Sequence, residues 1–124
     1  NSNNYLELFM DGLKISYTLD DVLKIEELLW IAKNEFSEDE FVNFNIEIKY
    51  RIECIKLMER YFPIDRTYKI NEFAAMFRNA TYIECDALLL HITVNQHLYK
   101  HRPDGLRIYK TLYANRKSAI KFSL

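Results

Sequence analysis

The sequence predicts an α+β domain, mainly helical, in which four helices lie between an N-terminal and a C-terminal β-hairpin. Three observations carry this expectation. Asp11-Gly12 stands between two stretches that alternate apolar and polar residues, and Asp-Gly readily gives the positive φ values of a tight hairpin turn. Three capping signatures, at Thr18, Ser37 and Thr81, each open an apolar stripe at helical spacing. After Pro103-Asp104-Gly105, the segments LRIYKTLY and AIKFSL flank a polar Ala114-Asn115-Arg116-Lys117-Ser118, which reads as a second hairpin with a basic tip.

In chain order, strands over residues 5 to 9 and 13 to 17 put Leu6 and Leu8, then Leu13, Ile15 and Tyr17, on single faces. Thr18 before Leu19-Asp20-Asp21 starts a helix that runs to about Asn34. Its stripe is Val22, Ile25, Leu29 and Ala32, widened by Trp30 and Ile31. Ser37 with Glu40 forms a capping box for the longest helix, whose stripe of Phe41, Phe44, Ile48, Ile52, Ile55, Met58 and Phe62 ends at Pro63. A shorter helix carries Ile70, Phe73, Ala74 and Phe77 on one face. Thr81 with Glu84 caps the next, where Ile83, Ala87, Leu90, Val94 and Leu98 continue to about His101. The two terminal hairpins are expected to share or cap one antiparallel sheet, because a lone hairpin is marginal in water.

At 124 residues the chain suits a single domain with a core that needs neither disulfide nor metal. Its two cysteines, Cys54 and Cys85, have no C-x-x-C partner and sit among apolar residues, so they read as core thiols. No run approaches the eighteen or so apolar residues of a membrane span. The polar start NSNNYLEL has no basic flank or apolar core, so the expectation is a soluble protein of the cytoplasm or nucleus. Phe, Tyr, Met, Ile, Asn and Lys make 53 residues, whereas Gly, Ala, Arg and Pro make 18. That bias matches AT-rich codons, as in a phage, a large DNA virus, a mobile element or a low-GC microbe.

Catalytic signatures do not emerge. The two glycines, Gly12 and Gly105, both follow Asp in turn-like contexts, which leaves no phosphate cradle or dinucleotide fingerprint. Ser16, Ser37 and Ser118 lie in a strand, a cap and a turn, without the surroundings of a nucleophile. His97 and His101 share a helix face, with Asp104 just beyond, and are the sole candidate metal ligands. His91 lies beside the apolar stripe, which favours a satisfied core or boundary position. A non-enzyme without a cofactor is expected, with metal chemistry at His97 and His101 as the exception.

Charge is the most informative feature. Residues 1 to 63 carry net -6 and residues 64 to 124 carry net +5. The excess bases are Lys100, Arg102, Arg107, Lys110, Arg116, Lys117 and Lys121, opposed locally by Asp104 alone. A short helix, a turn, a longer helix and a hairpin with a basic tip form a layout that resembles the winged helix-turn-helix class. In that layout Asn79, within Arg78-Asn79-Ala80-Thr81, stands where a glycine is usual. The resemblance implies that Gln96, Tyr99 and Lys100 face a major groove, that Arg116 and Lys117 clamp phosphates from the wing, and that Arg102, Arg107, Lys110 and Lys121 add to the field. The expected function is therefore a DNA- or RNA-binding regulator or accessory protein. The rival is a protein-protein interaction module, inhibiting or bridging a host protein through the acidic helices around Asp20 to Glu40, with a homodimer also open.

Overall fold

The computed structural model describes residues 2–63, 66–99 and 104–123. Among these residues it is all-helical: α1 (Ser2–Lys14), α2 (Leu19–Ile31), a 3₁₀ turn (Lys33–Glu35), α3 (Glu38–Tyr61), α4 (Ile70–Arg78), α5 (Tyr82–Val94), α6 (Gln96–Tyr99) and α7 (Arg107–Ser123). The α+β expectation is overturned, since both predicted hairpins are helices and no strand occurs among the described residues. The chain divides into two compact units, Asn1–Lys56 and Leu57–Leu124.

The N-terminal correction turns on Gly12. Its φ is not positive, so it makes no turn; it lies inside α1, where an added Cβ would meet Ile25 Cδ1 at 3.0 Å. Glycine is thus used for the close approach of α2, and this local stretch is read at period 3.6 rather than 2. Phe9 and Leu13 are buried and Leu6 is half-buried, whereas Leu8 and Ile15, which alternation had placed with Leu6 and Leu13, are exposed.

The rest of the first unit follows its caps. Thr18 Oγ1 accepts from the Asp21 N–H at 3.1 Å. The Ser37 N–H donates to Glu40 Oε1 at 2.8 Å and the Glu40 N–H to Ser37 Oγ at 3.2 Å, which completes the capping box. Phe9 meets Phe36 and Phe44 edge-on at 5.4 and 5.7 Å. Arg51 on α3 donates through Nε to the Ser16 carbonyl at 3.0 Å and through Nη2 to that of Lys14 at 3.4 Å. These bonds satisfy the Lys14 carbonyl at the end of α1 and the Ser16 carbonyl just beyond it.

The second unit takes its core from α4, α5, α6 and α7 with the residues just after α3. Phe73 and Phe77 of α4 are buried, as their spacing predicts, and so are Cys85, Leu88 and Ile92 of α5. Thr81 and Glu84 form the expected box, with Thr81 N–H to Glu84 Oε1 at 2.9 Å and Glu84 N–H to Thr81 Oγ1 at 3.3 Å. Glu84 also accepts from the Tyr61 hydroxyl at 2.5 Å. Burial and this carboxylate together push the Tyr61 phenol up to about 12.

The predicted long helix after Thr81 breaks at Asn95, whose N–H and side-chain Nδ2 both donate to the His91 carbonyl at 3.0 Å. The C-terminal correction also has a clear cause. Tyr109, Leu112, Tyr113, Arg116 and Ile120 recur at steps of three and four and are buried or half-buried on α7. From Leu106 onward there is neither glycine nor proline, and the supposed hairpin tip is rich in the strong helix formers Ala, Arg and Lys. The turn is made earlier, at Gly105, whose φ is 58°.

Candidate functional site

Of the nine residues singled out by sequence, Lys100 and Arg102 lie outside the described residues. The other seven separate into two groups. Tyr99 is 1% exposed. Its hydroxyl accepts from the Tyr68 N–H at 3.3 Å and pairs with His91 Nε2 at 3.0 Å. Phe62 lies flat on the His91 ring, centroids 3.7 Å apart, and burial pulls the imidazole down from 6.5 to about 4. His91 is therefore the satisfied core residue its position predicts.

Arg116 and Lys117 are turned inward. Arg116 Nε donates to the Ala80 carbonyl at 2.9 Å, in the turn between α4 and α5. Lys117 Nζ donates to Asp86 Oδ2 at 2.8 Å and lies 3.4 Å from the Tyr82 ring centroid, with the side chain 15% exposed. Burial alone would lower the Lys117 ammonium; Asp86 more than offsets it, so the net shift is upward. Asp86 also accepts from the Tyr113 hydroxyl at 2.6 Å, and burial with this bond pushes that phenol up to about 12. These contacts clamp α7 onto α5.

Gln96, Arg107, Lys110 and Lys121 are exposed. On α7, at 100° per residue, Arg107, Lys110 and Lys121 fall within an arc of about 60° and over about 20 Å of helix. Thr111, Ala114 and Ser118 share this outward face, and no acid follows Asp104. The predicted metal pair places His97 on α6, exposed, and His101 outside the described residues. Among the described residues no three His, Cys, Asp or Glu side chains are grouped as metal ligands. Neither cysteine is in a disulfide and both are buried, and burial raises the Cys85 thiol, which suits an inert core role.

A feature the sequence reading passed over lies in the first unit. Thirteen large apolar side chains are exposed among the described residues, and ten of them belong to this unit. Trp30 and Ile31, expected to widen the buried stripe of α2, are 54% and 75% exposed, and Leu23 and Leu28 also face outward. Val42 and Ile46 are exposed on α3. The Trp30 ring meets Phe41 edge-on at 4.9 Å, and Lys33 Nζ stands 5.2 Å from both rings. Phe41 in turn helps line an open depression of about 480 Å³ with Asn34, Phe36 and Val42. One signal was available: apolar residues occupy nearly the whole circumference of α2, more than one packing face can cover.

The charge segregation coincides with the two units. The first holds twelve acids and six bases, the second six acids and eleven bases. Among the described residues, no helix is long and apolar enough to cross a membrane. Comparison with protein-family models, with curated proteins and with solved structures finds no match.

Proposed function

We propose that the chain is a non-catalytic interaction module that holds a partner protein on its first unit. The observation that carries this reading is the concentration of exposed large apolar side chains in that unit, on α2 and α3 around Trp30. Single exposed apolar residues are ordinary, but grouped ones mark interaction surfaces. Tryptophan is among the residue types on which binding energy concentrates.

The test is capture of a stoichiometric partner by the tagged chain, with and without nuclease. Leu23→Ser combined with Trp30→Ser should weaken capture by thirtyfold or more, about the 2 kcal/mol of a binding hot spot. Helix content should hold, since both side chains face solvent. Capture that ignores the double variant, or that nuclease abolishes, sinks the reading.

A second reading, nucleic-acid binding, is supported by the outward bases of α7. Without a wing, and with Arg116 and Lys117 engaged in the fold, it rests on Arg107, Lys110 and Lys121. Replacing these three with Glu should weaken binding to duplex DNA and reduce the slope of log affinity against log salt by about three, roughly one per lost phosphate contact. An unchanged slope, or no binding by the parent chain at low salt, removes this reading.

A further inference from the structure

We infer that the segment received by the first unit is a basic amphipathic helix; this rests on the docking reading above and adds the chemistry of the partner. Two exposed ridges supply the argument. On α2, Asp20, Leu23, Glu27 and Trp30 follow one another at steps of three and four, and all four are exposed. Acid and apolar side chains thus alternate along one line of the helix surface. On α3, Asp39, Val42 and Ile46 follow at the same spacing, one acid and then two apolar side chains, and are likewise exposed. The two helices meet where Trp30 packs on Phe41, the residue before Val42.

The form of the occupant follows from what the surface lacks and what it repeats. A segment that binds by adding a strand needs an open sheet edge, and the described residues contain no strand. Leu23 and Trp30 are instead seven residues apart, the repeat at which apolar anchors recur along one face of a helix. The sign of the occupant follows from the unit's two-to-one excess of acids and from the position of Asp20, Glu27 and Asp39 beside the apolar anchors. A helix with Leu-like anchors and flanking Lys or Arg meets both demands, whereas an acidic helix would place like charges together. Bases near this surface are Lys24, exposed four residues after Asp20 and three before Glu27, Lys33, held over Trp30 and Phe41, and Lys49 on α3; across the unit the acids still outnumber the bases by twelve to six.

The probe is a synthetic Leu/Lys peptide of about eighteen residues with apolar positions at helical period, titrated calorimetrically into the full chain. Two controls accompany it: a scramble of the same composition and a Leu/Glu peptide of the same period. The Leu/Lys peptide should bind, the scramble and the Leu/Glu peptide at least tenfold more weakly. Asp20→Lys with Glu27→Lys should cost about tenfold, and Leu23→Ser with Trp30→Ser most of the affinity. Equal binding of all three peptides, or none by the Leu/Lys peptide, overturns the inference. Failure of the peptide while partner capture still depends on Leu23 and Trp30 overturns it and leaves the docking reading standing. Partner capture indifferent to those two residues overturns both. Sedimentation of the chain alone decides the remaining case, because self-association lost in the Leu23→Ser, Trp30→Ser variant assigns the face to a second copy and overturns the inference.

Discussion

Phe73→Ala should destabilise the second unit by about 3–5 kcal/mol, the range for removing a buried aromatic ring without full collapse of the space it filled. Phe73 is 0% exposed. Its ring centroid lies 5.3 to 6.1 Å from those of Tyr109, Tyr99, Phe62, Tyr68 and His91. The substitution therefore deletes the common neighbour of five rings rather than one contact. A unit of this size has a total stability of roughly 5 kcal/mol, so most of it would go. Amide hydrogen exchange gives the direct measurement: protection along α4, α5 and α7 should fall more than a hundredfold. Phe73→Leu, which keeps much of the volume, should cost less than half as much. Unchanged protection in Phe73→Ala would show that the aromatic cluster does not hold the unit together.

Acid should weaken the same unit before it titrates the carboxylates. The folded state holds His91 at about 4, below its ordinary 6.5, because protonation would place charge in a buried site. A depressed value means that the folded form binds the proton less tightly than the unfolded chain. The contribution is then complete above pH 6.5, shrinks as the pH falls below it, and is gone by about pH 4; it amounts to on the order of 2 kcal/mol. Glu72, lowered to about 2 mainly by its bond to Arg66, and Glu84, lowered mainly by that to Tyr61, begin to lose their contributions only below about 4.5. The two phases are therefore separable in urea midpoints measured from pH 7 to 4. His91→Gln should flatten the upper phase. A slope that survives in that variant would assign it elsewhere.

Much of the helical scaffold was legible in the sequence, because caps and long stripes are local signals with one reading. Thr18, Ser37 with Glu40, and Thr81 with Glu84 all cap as expected. The stripe of Phe41, Phe44, Ile48 and Ile55 is buried. Both hairpins failed for one physical reason: a short apolar run satisfies period 2 and period 3.6 equally, and its neighbours decide between them. At Gly12 the deciding fact was Ile25, thirteen residues on. In α7 it was the engagement of Arg116 and Lys117 with Ala80 and Asp86, more than thirty residues back. The division of charge was legible because it needs no contacts, whereas the direction of each base was not. Trp30 shows the converse limit, since apolar character alone does not say whether a side chain faces the core or a partner.

That same residue determines what an optical experiment on this protein reports. The chain has a single tryptophan, seated half in water against Phe41 and Lys33 rather than in a closed interior. The indole is half exposed when the chain is folded, so unfolding should change its surroundings less than those of a core tryptophan. A docked helix would dry it. If the proposed helix docks there, tryptophan fluorescence should report its occupancy more strongly than it reports folding.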